Sequence, residues 1–521
     1  MNFLGLVILL FEDTSASWIR MFIALGASVI ISVFVGIYAA TSKRGERIII
    51  PIVDVLQTIP ILAFFPFAIF VFVAILPGYI GINAAVIFLI ITSMVWNIIF
   101  GVYEAIKTLP NEFIELAEIY HFDFWSKLRR VYLPASMPRI VEQSILSWAI
   151  GLFYLVTSEI FSTGTANYRV TYGIGSALPG LAAQGVVPYV TGVMVFIAFV
   201  IATRFLFFRP WENYATKYMK SKGAAGKGRI DFPRYEKLVL DWIGQKIPRD
   251  RVVFDQEGFD INTAKHTRRT QAAEANGLGG SKLYPAVAVI IAFLAGYGIM
   301  SNSTLRGYEM TVLPALAASF ARVWLAFAVM LAIAIPVCIY LIFISKRSSN
   351  YMVFFQIVAS VPATILLPAI VFALPSGEPV AFAVFILSGI WYVIFGIMAS
   401  ARTISNSVFE VRRIFGVKGK SAWKNIYLKA ILPGLITGSV TGIAAEWNAS
   451  IVAEYYTSGG ISGTTVISSV GTGIGKLLDT AIASGGLELM AIALLNLVVM
   501  IILIDTFVWK RYYRKIAKMY S

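Results

Sequence analysis

The sequence predicts an all-α, polytopic membrane protein with about 11 transmembrane helices, arranged as two parallel five-helix repeats plus one linking helix. Hydrophobic residues make up 58% of the 521 positions, above the roughly 45–50% that is usual for soluble globular proteins. They fall in blocks of about 18 to 25 residues with few charges, which is long enough to cross a hydrocarbon core about 30 Å thick. Most soluble classes are therefore excluded.

The predicted spans follow one another along almost the whole chain. They lie near residues 17–41, 51–75, 82–104, 136–159, 187–208, 284–301, 316–342, 352–374, 380–401, 432–455 and 486–508. The resulting domains are a short external N-terminus (1–16), a first repeat (17–211), a cytoplasmic linker (212–283), a linking transmembrane helix (284–301) and a second repeat (302–521). The first 11 residues are apolar but too short to span, and no small-residue cleavage site follows them, so we expect no secretory signal there.

The distribution of basic residues predicts the orientation of the chain. Of the 43 Lys and Arg residues, 37 fall in alternate connections on one side, and the opposite connections carry only Arg169, Arg306 and Lys476. Because basic loops stay on the cytoplasmic side, the N-terminus is predicted outside and the C-terminus in the cytoplasm of a cell-membrane protein. The net charge of +15 therefore marks topology, and we expect contact with the lipid bilayer and none with nucleic acid.

An internal repeat divides the membrane part into two similar halves. The segment Trp96–Gly101 (WNIIFG) recurs as WYVIFG at 391–396, a displacement of 295 residues. Further pairs at this displacement are Glu115 and Glu410, Pro138 and Pro433, and Glu159 and Glu454, whereas Pro60 and Pro66 correspond to Pro362 and Pro368 at a displacement of 302. When 284–301 is counted as a span, the opening helices of the repeats are six spans apart. The halves then share one orientation, which disfavours an inverted-repeat carrier.

Two basic loops occupy matching places in the repeats. The first basic loop reads EFIELAEIYHFDFWSKLRRVYLPASMPR (112–139), and the second basic loop reads FEVRRIFGVKGKSAWKNIYLKAILPG (409–434). Both resemble the signature loop of the membrane subunits of binding-protein-dependent ABC importers, which runs Glu-Ala-Ala, three residues, Gly, nine residues, Ile, one residue, Leu-Pro. The matching positions are Glu115, Ala117, Val131, Leu133 and Pro134 in the first loop and Glu410, Gly416, Ile426 and Leu428 in the second.

The loops also depart from this pattern. His121 stands where glycine is expected, and Lys429 stands opposite Pro134, although a later proline is kept as Pro138 and Pro433. The resemblance implies that each loop is a helix pair that docks in a groove of an ATPase subunit, with the glycine permitting the sharp turn between the helices. We expect the side chain of His121 to weaken the first bend, and replacement of His121 by valine to have little effect. Alternatively, Glu115 and Glu410 only pair with basic residues of their own loops.

The resemblance implies separate partners for the energy-consuming step, namely two copies of an ABC ATPase subunit and an extracytoplasmic substrate-binding protein. A phosphate-binding GxxxxGK[ST] loop is absent from this chain. The nearest stretch, Gly471–Leu477, is preceded by Val470 and ends in leucine. We therefore expect no enzyme active site and no cofactor on this chain, with ATP and Mg bound by the ATPase partner. One cysteine, Cys338, and two histidines likewise give no basis for a disulfide or a zinc site.

Polar residues inside the spans are candidates for the translocation pathway, because ionisable groups are costly there. Glu446, with Trp447, Asn448 and Ser450 beside it, is predicted near mid-membrane, either lining the route or making a helix-packing hydrogen bond. Glu159 and Glu454 lie near the outer span ends, where they act as a gate or as structural contacts to an outer loop. Arg20 and Arg322, also near outer ends, are expected to snorkel to the interface.

Three apolar runs suggest the kind of importer and how its helices are interrupted. The prolines of TIPILAFFP (58–66) and SVPATILLP (360–368) are predicted to kink or unwind the second helix of each repeat and free backbone groups for a cavity. Together with AEWNASIVAE (445–454), these runs are most similar to nitrate, sulfonate and taurine permeases, which implies a small anion as cargo. The rival hypothesis is a self-sufficient ion-coupled carrier with parallel repeats that uses Glu446; the paired basic loops favour the importer.

Overall fold

The computed structural model is helical over most of the residues that it describes. These are 3–58, 60–76, 78–163, 170–215, 303–344, 355, 358–359, 361–402, 416, 419–460, 463–484, 486–509 and 511–512. The linking helix predicted at 284–301 lies outside the described residues, as do nearly all of the linker 212–283 and Glu410. The two halves are therefore described without the segment that joins them.

The first half contains ten helices within its described residues. They are α1 (Phe3–Thr41), α2 (Lys43–Thr58), α3 (Phe65–Ile75), α4 (Tyr79–Lys107), α5 (Asn111–Ile119), α6 (Phe124–Lys127), α7 (Leu133–Thr163), α8 (Ile174–Gln184), α9 (Val186–Thr203) and α10 (Arg209–Ala215). A short 3₁₀ helix, Ile61–Phe64, precedes α3, and π-helical turns at Leu128–Tyr132 and Arg204–Phe208 precede α7 and α10.

The second half repeats this order with one addition. Its helices are α11 (Ser303–Ile339), α12 (Ala363–Ala373), α13 (Glu378–Arg402), α14 (Gly419–Ala422), α15 (Leu428–Ala453), α16 (Ile474–Ala483) and α17 (Leu487–Ile504). Strands β1 (Tyr455–Gly460) and β2 (Gly463–Ser469) form an antiparallel hairpin between α15 and α16. This hairpin was not predicted from the sequence, and it is an addition to a membrane region that is otherwise helical in the described residues.

Eight helices of the described residues are long and apolar enough to cross a membrane. They are Phe3–Thr41, Tyr79–Lys107, Phe124–Ile160, Val186–Ala215, Arg306–Ile342, Glu378–Met398, Leu428–Ala453 and Leu487–Trp509. Each contains one of the predicted spans or most of it. The polytopic all-α class is thus confirmed, and the eight helices occupy corresponding places in the two halves.

The first membrane helix begins earlier than the sequence indicated. Helix α1 starts at Phe3, so residues 3–16 continue the span and do not form a separate N-terminal segment. Leu6, Leu10 and Asp13 are buried along this extension. Asp13 interrupted the apolar run in the sequence, but its carboxylate accepts a hydrogen bond from the Gly173 N–H at 3.1 Å. A polar contact from a distant segment thus accommodates this acidic side chain inside the protein.

The second helix of each half is interrupted at a proline, as predicted. Helix α2 ends at Thr58, Pro60 has an extended backbone (φ −63°, ψ 105°), and the chain resumes as the 3₁₀ helix 61–64. In the second half, Pro362 has a similar backbone (φ −61°, ψ 141°) immediately before α12. Proline lacks an N–H and biases the preceding residue away from helix. Each predicted span at this place is therefore a break followed by a short helix.

Helices α13 and α15 of the second half approach very closely through glycines. A Cβ atom added to Gly438 would lie 2.6 Å from the Tyr392 carbonyl oxygen, and one added to Gly442 would lie 3.1 Å from the Gly389 carbonyl oxygen. Small residues allow such backbone contact between membrane helices, where van der Waals packing and hydrogen bonds hold helices together. The glycines of α15 thus lie on the face that packs against α13, and they permit the close approach of the two helices.

Candidate functional site

The first basic loop turns at a residue with a left-handed backbone. His121 has a φ of 50°, and it follows the end of α5. Its N–H donates to the Glu118 carbonyl at 2.9 Å, and the N–H of Phe122 donates to the Ala117 carbonyl at 2.9 Å. This pair of bonds is a Schellman motif, whose left-handed position is usually occupied by glycine. His121 therefore makes the sharp turn in spite of its side chain.

The second basic loop contains the same backbone feature at the matching position. Gly416 has a φ of 59° and lies 295 residues after His121. A Cβ atom added to Gly416 would meet no atom of the described residues within 4 Å. Both residues adopt the left-handed conformation, at a greater cost for histidine because it carries a Cβ atom. A weaker first bend therefore stays a prediction.

Helix α5 presents apolar side chains to the surroundings. Leu116, Ile119 and Tyr120 are 52%, 71% and 65% exposed, and the neighbouring Glu115 is also exposed. Glu115 forms no ion pair among the described residues, whereas Ala117 is buried against the rest of the loop. A short helix with three exposed large apolar groups and an unpaired carboxylate has the composition of a docking surface.

The bases of the two loops also match. Wide π-helical turns occupy Leu128–Tyr132 and Trp423–Tyr427, again 295 residues apart, and they lead into α7 at Leu133 and α15 at Leu428. Both leucines are partly buried and pack against the core. Pro134 lies in the first turn of α7 and Pro433 in the second turn of α15, and both are half-buried. Turns of this kind are rare and frequent at functional sites, so the repeat is preserved in backbone geometry.

The two halves contact each other through their interrupted helices. The N–H of Leu62, which follows Pro60, donates weakly to Oδ1 of Asn448 in α15 at 3.4 Å. The Tyr189 hydroxyl of α9 donates to the carbonyl oxygen of Ile365 in α12 at 2.7 Å. We call this region the inter-half contact. Each interrupted helix thus offers a backbone group to the opposite half. The group at Leu62 is one of the first N–H groups of a helix, which lack partners within it, and the group at Ile365 is a carbonyl oxygen.

Asn448 and Tyr154 bring polar side chains to the inter-half contact. Asn448 is 8% exposed, and Tyr154 of α7 lies within hydrogen-bonding reach of it. The Nδ2 group of Asn448 also donates to the Ala444 carbonyl at 3.0 Å. Tyr154 and Tyr189 were not identified from the sequence. Their hydroxyl groups had no visible signal there, because tyrosine is common in apolar spans.

Glu446 lies on a different side of α15 from Asn448. Residues two positions apart in a helix point about 200° apart. Glu446 continues the glycine face toward α13, where a Cβ atom added to Gly389 would lie 3.2 Å from its Cγ; Met330 of α11 lies beside the same glycine. It is fully buried, and neither carboxyl oxygen has a hydrogen-bond partner in the described part of the chain. Glu446 therefore does not reach the inter-half contact, and the alternative of a helix-packing hydrogen bond is not met either.

Trp447 and Ser450 complete the group predicted around Glu446. Trp447 is 2% exposed, and Ser450 is fully buried. The hydroxyl of Ser450 donates to the Trp447 carbonyl at 2.8 Å, and the backbone of Ser450 lies against Gly475 at the start of α16. Of the charged or amide side chains in this group, only that of Asn448 is at the inter-half contact.

A cluster of buried polar groups surrounds Glu159 near the end of α7, on the side opposite the basic loops. We call it the first outer cluster. The Glu159 carboxylate accepts from the Ser17 hydroxyl at 2.8 Å, from the Arg20 guanidinium at 2.7 Å and from the Gly175 N–H at 2.8 Å. Arg20 also donates to the Asn83 side chain at 2.6 Å. It is 4% exposed, so the expectation that Arg20 snorkels is wrong: its charge is neutralised inside the protein.

The second outer cluster repeats this arrangement around Glu454. The Glu454 carboxylate accepts from the Ser319 hydroxyl at 2.6 Å, from Arg322 at 3.1 Å and from the Gly475 N–H at 2.8 Å. Arg322 donates two further bonds to Glu378, at 2.6 and 2.7 Å. Both glutamates thus bind the start of the following short helix, and the choice between a gate and a structural contact stays a prediction. The serines and glycines were missed, although Ser17 and Ser319 recur at the displacement of 302 residues.

The described residues contain no group of three or more histidine, cysteine or acidic side chains arranged to hold a metal ion. The polar chemistry of the site consists of the buried outer clusters, the neutral groups of the inter-half contact and the isolated Glu446. These can bind, orient or exclude a polar solute.

Comparison with known proteins matches the same two halves. The family model described as "Binding-protein-dependent transport system inner membrane component" matches residues 32–209 and again 343–509. The chain is 29% identical over 157 residues to the bicarbonate transport system permease protein CmpB of Synechococcus elongatus, which is 30% of this chain and 53% of that protein.

Two further relatives have similar coverage. The nitrate import permease protein NrtB of Synechocystis is 26% identical over 154 residues, 30% of this chain and 52% of the relative. The putative aliphatic sulfonates transport permease protein SsuC of Bacillus subtilis is 28% identical over 141 residues, 27% of this chain and 48% of the relative. The chain thus spans about half the length of the curated relatives that it matches.

Proposed function

Because this chain belongs to the family of binding-protein-dependent transport system inner membrane components and carries its domain twice, it is a multi-pass ABC-transporter permease, and we propose that its two halves together form one complete translocation pathway. The observation that carries this proposal is the inter-half contact. Leu62 meets Asn448, and Tyr189 meets Ile365, so each half supplies an interrupted helix to the other. A second copy of the chain is not needed to complete this arrangement.

Two ATPase subunits are proposed to bind the two basic loops. The exposed apolar side chains of α5 and the unpaired Glu115 suit a groove on a partner protein. His121 and Gly416 both have a left-handed backbone at matching positions of the two loops. In this proposal the partners bind ATP and Mg, this chain binds no cofactor, and an extracytoplasmic binding protein delivers the substrate.

The proposed cargo is a small anion such as nitrate, a sulfonate or a related oxyanion. The relatives named above belong to bicarbonate, nitrate and sulfonate systems. The polar groups at the inter-half contact, from Asn448, Tyr154 and Tyr189, are neutral and can donate hydrogen bonds to an oxyanion. An uptake panel of nitrate, bicarbonate and an alkylsulfonate, with a zwitterionic betaine as control, tests this choice; competition by the betaine alone would contradict it.

The proposed location is the cell membrane, with the N-terminus outside and the C-terminus in the cytoplasm. Single cysteines at Ser221 and Asn425 should react with an impermeant thiol reagent only after the membrane is opened. A cysteine at Gly459 should react in intact cells. Labelling of the Asn425 variant from outside would mean that the halves are inverted.

The stoichiometry of the purified complex tests the proposal that the halves form one pathway. Native mass measurement should give one copy of this chain with two ATPase copies. Two copies of this chain per pair of ATPases would show that each chain supplies only part of a pathway.

An ion-coupled carrier is a second candidate, because Glu446 is a fully buried carboxyl group without a partner among the described residues. Such groups inside membranes are often ion or proton sites. Glu446→Gln preserves the side-chain volume and removes the exchangeable charge. A carrier would lose gradient-driven uptake, whereas the importer should retain ATP-dependent uptake. The comparison variant Asn448→Leu, at the inter-half contact, should lower uptake in the importer.

A further inference from the structure

The start of helix α8 is bound by side chains from two membrane helices. Three consecutive N–H groups, of residues 173–175, donate to Asp13 at 3.1 Å, to Ser17 at 3.0 Å and to Glu159 at 2.8 Å. Asp13 and Ser17 belong to α1, and Glu159 belongs to α7. N–H groups of a first helical turn have no partner within the helix. Here they fix α8 to both spans at once.

Helix α16 is held in the same way in the second half. The Ile474 N–H donates to Ser319 of α11 at 2.8 Å, and the Gly475 N–H donates to Glu454, which follows α15, at 2.8 Å. A Cβ atom at Gly475 would overlap the backbone of Ser450. The close seating of α16 therefore requires glycine at this position, as Gly175 allows it for α8, where a Cβ would lie 2.7 Å from the Val156 carbonyl.

Both clusters are ionic networks centred on a buried glutamate carboxylate. Glu159 and Glu454 are fully buried, and each accepts from a serine, an arginine and a backbone N–H. Removing one partner of a buried ion pair leaves an uncompensated charge, which is strongly unfavourable. The helices α8 and α16 are thus attached by contacts that break only at substantial cost.

These short helices lie beside the inter-half contact. Helix α8 of the first half contacts α12 of the second half and strand β1, and β1 also contacts α16. Helix α8 thus packs on the interrupted helix α12, which takes part in the inter-half contact, and β1 links α8 to α16. Movement of α8 or α16 relative to its own spans would therefore disturb this chain of contacts to α12.

We propose that the two outer clusters are positioning elements that make α8 and α16 rigid parts of their own halves, so that outer access to the inter-half contact opens only when the halves separate. Ser17, Arg20 and Glu159 position α8, and Ser319, Arg322 and Glu454 position α16. This inference rests on the proposed function, because it takes the inter-half contact as the pathway. It excludes a mechanism in which either short helix swings open as a separate lid.

The clusters differ in strength. Ala315 stands at the position in α11 that corresponds to Asp13, so α16 lacks one of the side-chain acceptors that α8 has. Asn83, the partner of Arg20, corresponds to Glu378, whose side chain is 48% exposed. Solvent weakens an exposed ion pair. The second outer cluster is therefore the weaker of the two, and its disruption needs a smaller perturbation.

Thiol labelling at the inter-half contact tests the proposal. The background is the full chain with Cys338→Ala and the reporter Leu62→Cys, reconstituted in vesicles with its ATPase subunits and labelled from outside without ATP. Ser17→Ala, Ser319→Ala, Glu159→Gln and Glu454→Gln should each raise the labelling rate about tenfold or more, since each removes a hydrogen bond to a buried charge or the charge itself. The Ser319→Ala effect should exceed that of Ser17→Ala.

A matched control lies on the outer helix itself. Thr480 of α16 is exposed and bonds only to the Lys476 and Leu477 carbonyls of its own helix, so Thr480→Ala should leave the labelling rate unchanged. Should the cluster variants melt at lower temperature but label at the parental rate, the clusters have only a structural role and the proposal is overturned. The serine variants retain the ion pair, so they remain informative where a glutamate variant fails to fold.

Failure of this inference is distinguishable from failure of the proposed function. Unchanged labelling in variants that still bind ATPase subunits and take up substrate would refute the positioning role alone. Absence of ATPase binding by the parent chain would refute the importer assignment of the loops, whereas labelling without ATP would still report on the clusters.

Discussion

His121 and Gly416 offer a paired test of the basic loops, because they occupy equivalent positions with nearly equal backbone angles. Their φ values are 50° and 59°. A residue with a Cβ atom loses roughly 1–2 kcal/mol in the left-handed conformation, whereas glycine does not. Substitutions at the two positions should therefore have opposite signs. His121→Gly should favour the bent loop, and Gly416→Ala or Gly416→Val should disfavour it.

The size of these effects follows from the surroundings of each residue. Within the part of the chain that the structure describes, no atom lies within 4 Å of a Cβ added to Gly416, so the cost that we assign to a side chain there is the backbone cost. We expect Gly416→Ala to lose about 1 kcal/mol, roughly a fivefold change in the population of the bent loop, and Gly416→Val to lose more because of its branched Cβ. His121→Gly should gain less than about 1 kcal/mol, because glycine also frees the unbent loop.

The His121→Val variant serves as a control, and its expected effect differs from the small effect expected from the sequence. Because His121 is already left-handed, His121→Val should weaken the bend, and not leave it unchanged. Histidine tolerates positive φ better than a β-branched residue. Both valine variants should therefore disfavour the bent loop, and His121→Gly should favour it.

The assay is the affinity of the permease for its ATPase subunit in nanodiscs, together with substrate-stimulated hydrolysis in vesicles. We expect weaker binding or uncoupled hydrolysis for Gly416→Val and His121→Val, and binding at least as tight as the parent for His121→Gly. Equal affinity and equal coupling in all variants would show that these turns do not set the geometry of the docking surface.

Two further predictions follow from the packing. Gly438→Ala should lower the free energy of unfolding by about 1–3 kcal/mol, because its Cβ would overpack against α13. The control is Gly26→Ala in α1, where a Cβ meets no described atom within 4 Å, and it should be neutral or stabilising in the same thermal-unfolding measurement. Equal losses in the two variants would contradict this explanation. At the start of α2, burial opposes ionisation of Glu46, but hydrogen bonds from Lys107 at 2.7 Å and from Tyr103 outweigh it and lower the pKa of Glu46. A lowered pKa gives stability that is present above the ordinary value of 4.5 and is lost as pH falls through the folded value. The unfolding temperatures of the parent and of Glu46→Gln, measured between pH 7 and pH 3, should therefore converge at the acid end. Because the Glu46–Lys107 ion pair is part-exposed, the two proteins should differ at pH 7 by less than about 1 kcal/mol in free energy of unfolding.

The sequence alone determined the membrane class, the repeat and the places where helices break. Span length, the recurrence of Trp96–Gly101 at 391–396 and the prolines at 60 and 362 are properties of consecutive residues. Their consequences are local as well: apolar runs of sufficient length form membrane helices, and proline interrupts a helix wherever it stands. The turn at 416 was implied by the resemblance of the second basic loop to the importer signature, in which His121 was a departure from the expected glycine.

Only the tertiary structure decided which groups meet. Arg20 and Glu159 are 139 positions apart in the chain, and nothing in the neighbourhood of either residue identified the other. Glu446 and Asn448 are nearly adjacent in sequence, yet one faces α13 and the other faces the opposite half. Helical periodicity separates their directions, but which neighbour stands in each direction depends on the packing of distant helices. For buried charges, that packing determines whether a group is paired, as Arg20 is, or left without a partner, as the Glu446 carboxyl is among the described residues.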